Sequence, residues 1–163
     1  MSVAPRAMLW KNDSAIRELE GLERYVATAF GEVPDFVEVP EGGVTFRVPL
    51  ASGQKTGWYF DQAGNRAMLM RHVRNARVLD VFSYAGSFGL QAAHAGATEV
   101  TCVDSSAGAL EAAATSAAAN GLQAELLRGD AFDVLESLHA ERRRFDVVVI
   151  DPPAFIKRRK DHP

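Results

Sequence analysis

The sequence predicts an α/β fold in which a doubly wound parallel sheet makes up the second half of the chain. Four short apolar runs, each ending in or just before an aspartate, alternate there with segments of helical composition. That alternation is typical of parallel strands joined by crossover helices. The aspartates are Asp80, Asp104, Asp130 and Asp151. Ligands of open α/β sheets bind at the carboxyl ends of the strands, so the carboxylates are predicted to line one crevice that suits an adenosine.

Two domains are predicted: a small α+β segment over residues 1–75 and the sheet domain over residues 76–163. The first is expected to open with an amphipathic helix in NDSAIRELEGLERYVATAF, capped by Asp13 or Ser14. Around an EGG turn we expect two strands, DFVEV and VTFRVPL, and after them a third, GWYF. A helix over residues 61–72 then leads into the sheet domain.

In the sheet domain we expect strands at RVLDVF, TEVTCVD, AELLRGD and FDVVVID. The helices between them are expected at GLQAAHAG, in the alanine-rich segment that ends at Asn120 and Gly121, and at AFDVLESLH. A sheet of these strands would leave the last one as an exposed apolar edge. We therefore expect a longer protein, a partner strand or a homodimer in which that edge is covered.

Composition limits the class of protein. A hydrophobic share of 47% is that of a globular protein, and a net charge of −3 argues against a general basic coat. Local basic patches are still predicted at residues 142–144 and 157–160, either as RNA contacts or as solvated faces. The single cysteine, Cys102, excludes an intramolecular disulfide. With neither a signal peptide nor a membrane-spanning stretch in the sequence, a cytoplasmic protein without membrane contact is expected.

The turn DVFSYAGSFG follows the first strand of the sheet domain and carries Gly86 and Gly89. It lacks the first glycine of a dinucleotide motif, which makes a nucleotide-dependent oxidoreductase a weak alternative. With Asp80 at its start, the turn suits a ligand that has a cationic amino-acid end. Asp104, about 20 residues further on, is placed to bind a ribose diol, or else to cap the next helix.

The third strand ends in a further candidate residue, Asp130, and the second strand carries the single cysteine, Cys102. Asp130 could accept a hydrogen bond from an adenine amine with Phe132 packed on the ring, and it could also cap the helix that follows. Cys102 is expected to be a buried structural thiol rather than a nucleophile.

Asp151 is followed directly by two prolines, which stop strand pairing and fix an extended turn. Their carbonyl groups can then face a planar ligand, while Asp151 bonds an amine and Phe155 stacks on a base. The alternative is a proline turn without function.

Together these motifs resemble the class I S-adenosylmethionine-dependent methyltransferases. DVFSYAGSFG resembles their first motif, VDSS their ribose-binding acidic motif, GDAF their adenine motif and DPPAF their motif IV. More narrowly, NDSAIRELEGL, GQKTGWYFDQAGNR and DPPAFIKRRKD resemble the bacterial 23S ribosomal RNA cytosine-C5 methyltransferases. The resemblance implies a Rossmann-like fold, S-adenosylmethionine as cofactor and methyl transfer to C5 of a cytosine.

The resemblance also implies site residues, and no metal ligand is among them. Those implied to orient the target base are Asp151, Pro152, Pro153 and Phe155. Those implied to bind the cofactor are Gln54, Lys55, Thr56, Tyr59, Asp61, Arg66, Asp80, Tyr84, Gly86, Phe88, Gly89, Asp104, Ser105, Asp130, Ala131, Phe132 and Asp151.

Two features of that family are missing. Its members normally begin with an RNA-binding PUA domain, and they carry a catalytic cysteine beyond motif IV, whereas no cysteine follows Asp151. Cytosine C5 is a poor nucleophile, so the reaction needs a thiolate that adds at C6. We therefore expect a fragment that retains the cofactor half and is inactive alone. The alternatives are a guanine-modifying ribosomal RNA methyltransferase and a non-catalytic module that binds S-adenosylmethionine or RNA.

Overall fold

The computed structural model describes residues 4–53 and 57–153. The predicted site residues Gln54, Lys55, Thr56 and Phe155, and the basic segment 157–160, lie outside the described residues. The strands are β1 (Ala7–Asn12), β2 (Tyr25–Gly31), β3 (Phe36–Glu41), β4 (Val44–Pro49), β5 (Arg77–Val81), β6 (Glu99–Asp104), β7 (Glu125–Arg128) and β8 (Val147–Ile150). The helices are α1 (Ile16–Leu19), α2 (Ala63–Leu69), α3 (Ser87–His94), α4 (Ala107–Ala119) and α5 (Ala131–Ala140), with a 3₁₀ turn at Phe60–Gln62.

The predicted parallel sheet is present. Its strands lie in the order β7-β6-β5-β8, and all neighbouring pairs are parallel. Asp80 pairs with Cys102 in β6, and Val81 pairs with Ile150 in β8. The carboxyl ends of the strands therefore meet at one edge, which is where a doubly wound sheet binds its ligands. Within the described residues β8 is an edge strand, and the side chain of Ile150 is 59% exposed.

Both faces of this sheet are covered, which explains why its strands are apolar at successive positions. One core cluster is built around Val78, Ala92 and Cys102, and a second on the opposite face around Leu79 and Leu138. Cys102 is fully buried, and burial raises the pKa of its thiol well above the usual range, with the charge of Asp80 adding to the effect. The expectation of a buried structural thiol is confirmed.

The long helix predicted in NDSAIRELEGLERYVATAF is wrong beyond Leu19. Gly21 adopts a positive φ of 71°, and the chain then returns as β2, which pairs antiparallel with β1. The β-branched and aromatic residues of β2 favour a strand, and this preference outweighs the helical spacing of the apolar positions. Neither Asp13 nor Ser14 caps α1, whose N-cap residue is Ala15 without a side-chain hydrogen bond.

The hairpin around EGG is confirmed as β3 and β4, whereas the strand predicted at GWYF is wrong. Gly57 adopts a φ of 68°, and the N–H of Gln62 donates to the carbonyl of Tyr59 at 3.2 Å, so the segment turns instead of extending. The helix expected over residues 61–72 is present as the shorter α2, preceded by the 3₁₀ turn.

The chain divides into two compact units, one of residues 1–37 and 48–58 and one of residues 38–47 and 59–163. The first unit holds the β1–β2 hairpin, and the second holds the parallel sheet and its helices. The domain boundary after residue 75 stays a prediction. Among the described residues, none of the helices has both the length and the apolar character that crossing a membrane requires.

Candidate functional site

Asp80 lies near the carboxyl end of β5 and is 1% exposed. Its Oδ2 accepts a hydrogen bond from the N–H of Gly89 at 2.9 Å, which fixes the start of α3 above the end of the strand. A Cβ at Gly89 would come within 2.4 Å of the Cys102 Sγ, so only glycine fits at this approach. The carboxylate is thus held by the backbone of the turn that the sequence predicts to contact a ligand.

Burial raises the pKa of Asp80 to about 7, opposed by the Gly89 hydrogen bond. The charges of Asp104 and Asp151 contribute to this rise of the pKa, while that of Arg66 opposes it. Asp104 and Asp151 are therefore both close enough to act on Asp80. A cationic group placed among them would be stabilised, and it would favour the ionised form of Asp80.

The turn after β5 is strained. Phe82 and Tyr84 adopt positive φ values of 63° and 51° although neither is glycine, and Gly86 follows at 74°. Such conformations cost about 1–3 kcal/mol each and concentrate at functional sites. Between them the hydroxyl of Ser83 is buried and makes no hydrogen bond within the described residues. Neither the strain nor Ser83 was anticipated from the sequence, where the only signal was the turn motif itself.

Asp104 organises this turn from the neighbouring strand. Its Oδ2 accepts from the N–H of Tyr84 at 2.8 Å, and its Oδ1 accepts from the N–H of Ser106 at 2.9 Å. The N-cap of α4 is Ser106, whose hydroxyl accepts from the N–H of Ala109 at 3.3 Å, so the capping alternative for Asp104 does not hold. A carboxylate has about four lone-pair positions, which leaves Asp104 free to accept from ribose hydroxyls as well.

Asp130 caps α5, because its Oδ1 accepts from the N–H of Phe132 at 2.9 Å. The preceding residue, Gly129, donates its N–H to the carbonyl of Asp104 at 3.2 Å, which places the end of β7 beside the end of β6. The side chain of Phe132 is 63% exposed and that of Ala131 is buried. The adenine contact assigned to these residues stays a prediction.

Asp151, Pro152 and Pro153 are exposed at the carboxyl end of β8. Because Val81 pairs with Ile150, Asp151 follows β8 at the level where the strained turn follows β5. The two prolines cannot donate backbone hydrogen bonds, so pairing ends here. Their role in orienting a base stays a prediction, as does a ligand contact of the exposed Ser105.

Helix α2 and the segment before it carry Tyr59, Asp61 and Arg66, whose implied contact with a cofactor stays a prediction. Asp61 is exposed, and the ring of Tyr59 meets that of Tyr84 edge-on at 6.1 Å. Arg66 is 1% exposed and forms a bidentate ion pair with Glu41. Glu41 was not singled out from the sequence, which offered no signal for it.

No group of three or more His, Cys, Asp or Glu side chains in the described part of the chain could hold a metal ion. The chemistry of this edge is that of carboxylates, aromatic rings and backbone amides.

A family model described as conserved hypothetical protein 95 matches residues 63–159, more than half of the chain. The chain belongs to this family. The match contains the parallel sheet and every described site residue except Tyr59 and Asp61.

Among similar proteins, ribosomal RNA large subunit methyltransferase I of Photobacterium profundum is 40% identical over 149 residues. The alignment covers 89% of this chain and 38% of that protein. The chain therefore spans under half the length of this curated relative.

Two solved structures share the fold. A candidate methyltransferase complexed with S-adenosylhomocysteine (SAH) is 30% identical, with a TM-score of 0.72 over 83% of this chain and 37% of the other. The SAM-dependent methyltransferase of Agrobacterium tumefaciens is 26% identical, with a TM-score of 0.71 over 80% of this chain and 44% of the other. The predicted Rossmann-like class I methyltransferase fold is confirmed.

Proposed function

We propose that this chain is the cofactor-binding part of an S-adenosylmethionine-dependent methyltransferase that modifies 23S ribosomal RNA. The observation that carries the proposal is the group of carboxylates at the carboxyl ends of β5, β6 and β8, where Asp104 and Asp80 hold the strained turn through its backbone N–H groups and the charges of Asp104 and Asp151 act on the buried Asp80. The name of the Photobacterium relative supports the substrate, and the SAH-bound neighbour supports the cofactor.

The residues at these strand ends fit S-adenosylmethionine. Its sulfonium and ammonium groups are both cationic, and a cluster of carboxylates stabilises such charges. Asp104 has lone pairs left for a ribose diol. When bound, the cofactor supplies an electrophilic methyl group.

We assign the parts of the cofactor to three strand ends. The methionine half would lie against the turn after β5 and the ribose against the end of β6, where Asp104 accepts its hydroxyls. The adenine would lie at the end of β7, where the exposed ring of Phe132 offers an apolar face and Asp130 an acceptor. The residues of the first group are Asp80, Tyr84, Gly86, Phe88 and Gly89.

The proposed target is C5 of a cytosine, with Asp151, Pro152 and Pro153 orienting the base. This chemistry needs a thiolate at C6. Cys102 cannot supply it, because the thiol is fully buried and its pKa is raised. The nucleophile would have to lie outside these 163 residues, so this chain alone is proposed to be inactive.

The same observation on Cys102 favours a second candidate, a methyltransferase that modifies guanine in ribosomal RNA without a cysteine nucleophile. A third reading is a module that binds S-adenosylmethionine or RNA without catalysis.

One experiment separates these candidates. A longer protein that contains this chain is incubated with labelled S-adenosylmethionine and unmodified 23S ribosomal RNA, and the nucleosides are analysed by mass spectrometry. We expect 5-methylcytidine. A methylguanosine would replace the first candidate by the second, and bound cofactor without methyl transfer would favour the third.

We also propose that the β8 edge is covered in the working protein, by a further strand or by a second copy of the chain. Val148 and Ile150 are 49% and 59% exposed there, and an apolar edge strand tends to pair. Sedimentation of the purified chain tests the second alternative, which predicts a dimer, and a monomer would exclude it.

A further inference from the structure

Arg66 ranks first by volume among the fully buried side chains of the described residues, and its Nε and Nη2 atoms form hydrogen bonds within the protein. Its Nε and Nη2 donate to the two carboxylate oxygens of Glu41, the second at 2.8 Å, and Nη2 also donates to the carbonyl of Tyr59 at 2.8 Å. A bidentate pair of this kind fixes both side chains in position and direction. Arg66 therefore joins the end of β3 to the segment before α2.

Helix α3 holds the same carboxylate from another side. The buried Gln91 donates its Nε2 to the Glu41 Oε1 at 2.9 Å. The turn after Glu41 lies directly on this helix, because a Cβ at Gly42 would come within 2.1 Å of the Gln91 Oε1, and one at Gly43 within 2.3 Å of the His94 Nε2. Glu41 is thus anchored to the helix whose first turn forms part of the candidate site.

The Arg66 guanidinium also lies over an aromatic ring of the site, that of Phe88. Its central carbon lies 5.7 Å from the centroid of the Phe88 ring, within the range of a cation–π contact. Tyr59, whose carbonyl Arg66 binds, meets the ring of Tyr84 edge-on at 6.1 Å. Arg66 therefore contacts two residues that reach the turn after β5.

We propose that the Arg66–Glu41 pair is a positioning device that sets the rings of Tyr59, Tyr84 and Phe88 around the methionine half of the cofactor. The inference rests on the proposed function and deepens it. It gives Arg66 a role through its neighbours in place of the direct cofactor contact that the resemblance implies. Since the pair acts on the turn after β5, the adenosine end of the ligand is held independently of it.

The test compares two ligands on a small set of variants. SAH carries the amino-acid end, and methylthioadenosine lacks it. Arg66→Lys keeps the charge but loses the bidentate geometry, and Glu41→Gln keeps the shape but loses the charge. The matched control is Glu38→Gln, on the same hairpin, where Glu38 pairs loosely with Arg47 at 3.9 Å and is 59% exposed. Calorimetry gives both dissociation constants, and circular dichroism establishes that each variant is folded.

We expect Arg66→Lys and Glu41→Gln to weaken SAH binding at least tenfold and methylthioadenosine binding less than twofold, with Glu38→Gln within twofold for both. If Glu41→Gln does not fold, Gln91→Met removes one hydrogen bond from the same carboxylate and should weaken SAH alone by about threefold.

A direct cofactor contact by Arg66 would overturn the inference. In that case Glu41→Gln would bind SAH as well as the wild type or better, because it frees the guanidinium, while Arg66→Lys would bind it poorly. Equal loss of both ligands would also overturn it, since the pair would then only stabilise the fold. If the wild-type chain binds neither ligand, the proposed function fails, and this inference fails with it.

Discussion

Gly89 leaves no room for a side chain between the start of α3 and strand β6. A Cβ built at this position would lie 2.4 Å from the Sγ of Cys102, 3.2 Å from a methyl group of Val100 and 3.3 Å from the Oδ2 of Asp80. All three neighbours are buried, so none can swing into solvent. Replacing Gly89 by alanine must therefore move the helix, the strand or both.

The cost can be worked out from these contacts. Forcing an extra methyl group into a packed core typically costs about 1–3 kcal/mol. Helix propensity works in the opposite direction, because alanine is better than glycine in a helix by about 1 kcal/mol at most. The shortest distance lies below any that a real Cβ contact shows, so the steric term should win. We predict that Gly89→Ala lowers the free energy of unfolding by about 1–2 kcal/mol.

Urea denaturation followed by circular dichroism measures this change. Gly108→Ala is the matched control, because it lies in the first turn of α4 with nothing within 4 Å of the new Cβ. It should leave stability unchanged or raise it by up to about 1 kcal/mol. The combination with Cys102→Ala removes the Sγ that Gly89→Ala would strike, so the double variant should cost clearly less than the sum of the single ones. Additive costs, or a stable Gly89→Ala variant, would refute the close approach of α3 to the sheet.

Two further predictions concern charge and capping. Because burial raises the pKa of Asp80 from 3.8 to about 7, the folded chain keeps a proton that the unfolded chain has lost, and the cost of burying this group grows as pH rises from about 4 to 7. Asp80→Asn should therefore gain stability relative to the wild type over that range, by at most about 4 kcal/mol. Denaturation at pH 5 and at pH 8 measures the difference in unfolding free energy between the variant and the wild type, and an equal difference at both pH values would exclude this. Ser106→Ala removes the N-cap of α4 and should lower the free energy of unfolding by about 1 kcal/mol, whereas Ser105→Ala next to it should change it by a few tenths at most. Equal shifts of the melting temperature in the two variants would count against the assigned cap.

The sheet domain was predictable because strands that are buried on both faces consist of continuous apolar residues. Leu79 and Cys102 lie in such apolar runs of the sequence, and both are core residues in the structure. The first part of the chain was harder to predict. Ile16 and Leu19 are spaced as on a helix face, yet they are 61% and 83% exposed, so no burial supports the helical pattern. There Gly21 and the local preference of the following residues for strand decided the structure.

The site was predictable to the extent that strand ends determine it. Asp80 and Asp104 follow from the position of their strands, since parallel strands end at one edge. The partner of Arg66 did not follow, because Glu41 lies 25 residues away on a hairpin whose place against α3 no sequence pattern encodes. The strain at Phe82 and Tyr84 was equally hidden, since both residue types are ordinary in a strand or a helix and only the packing of the turn fixes their φ.

The central claim is that the carboxylates at the strand ends bind S-adenosylmethionine, and calorimetric titration of this chain with that cofactor tests it most directly. Asp104→Ala is the test variant, and Asp133→Ala, which removes an exposed carboxylate from α5, is the control. Loss of a charge-assisted bond to the ribose should cost about 1.5–3 kcal/mol, or roughly tenfold to a hundredfold in affinity. We predict that the wild type and the control bind the cofactor, and that Asp104→Ala binds it more weakly by this factor. A folded chain that does not bind, or an Asp104→Ala variant that binds as well as the wild type, would contradict the account.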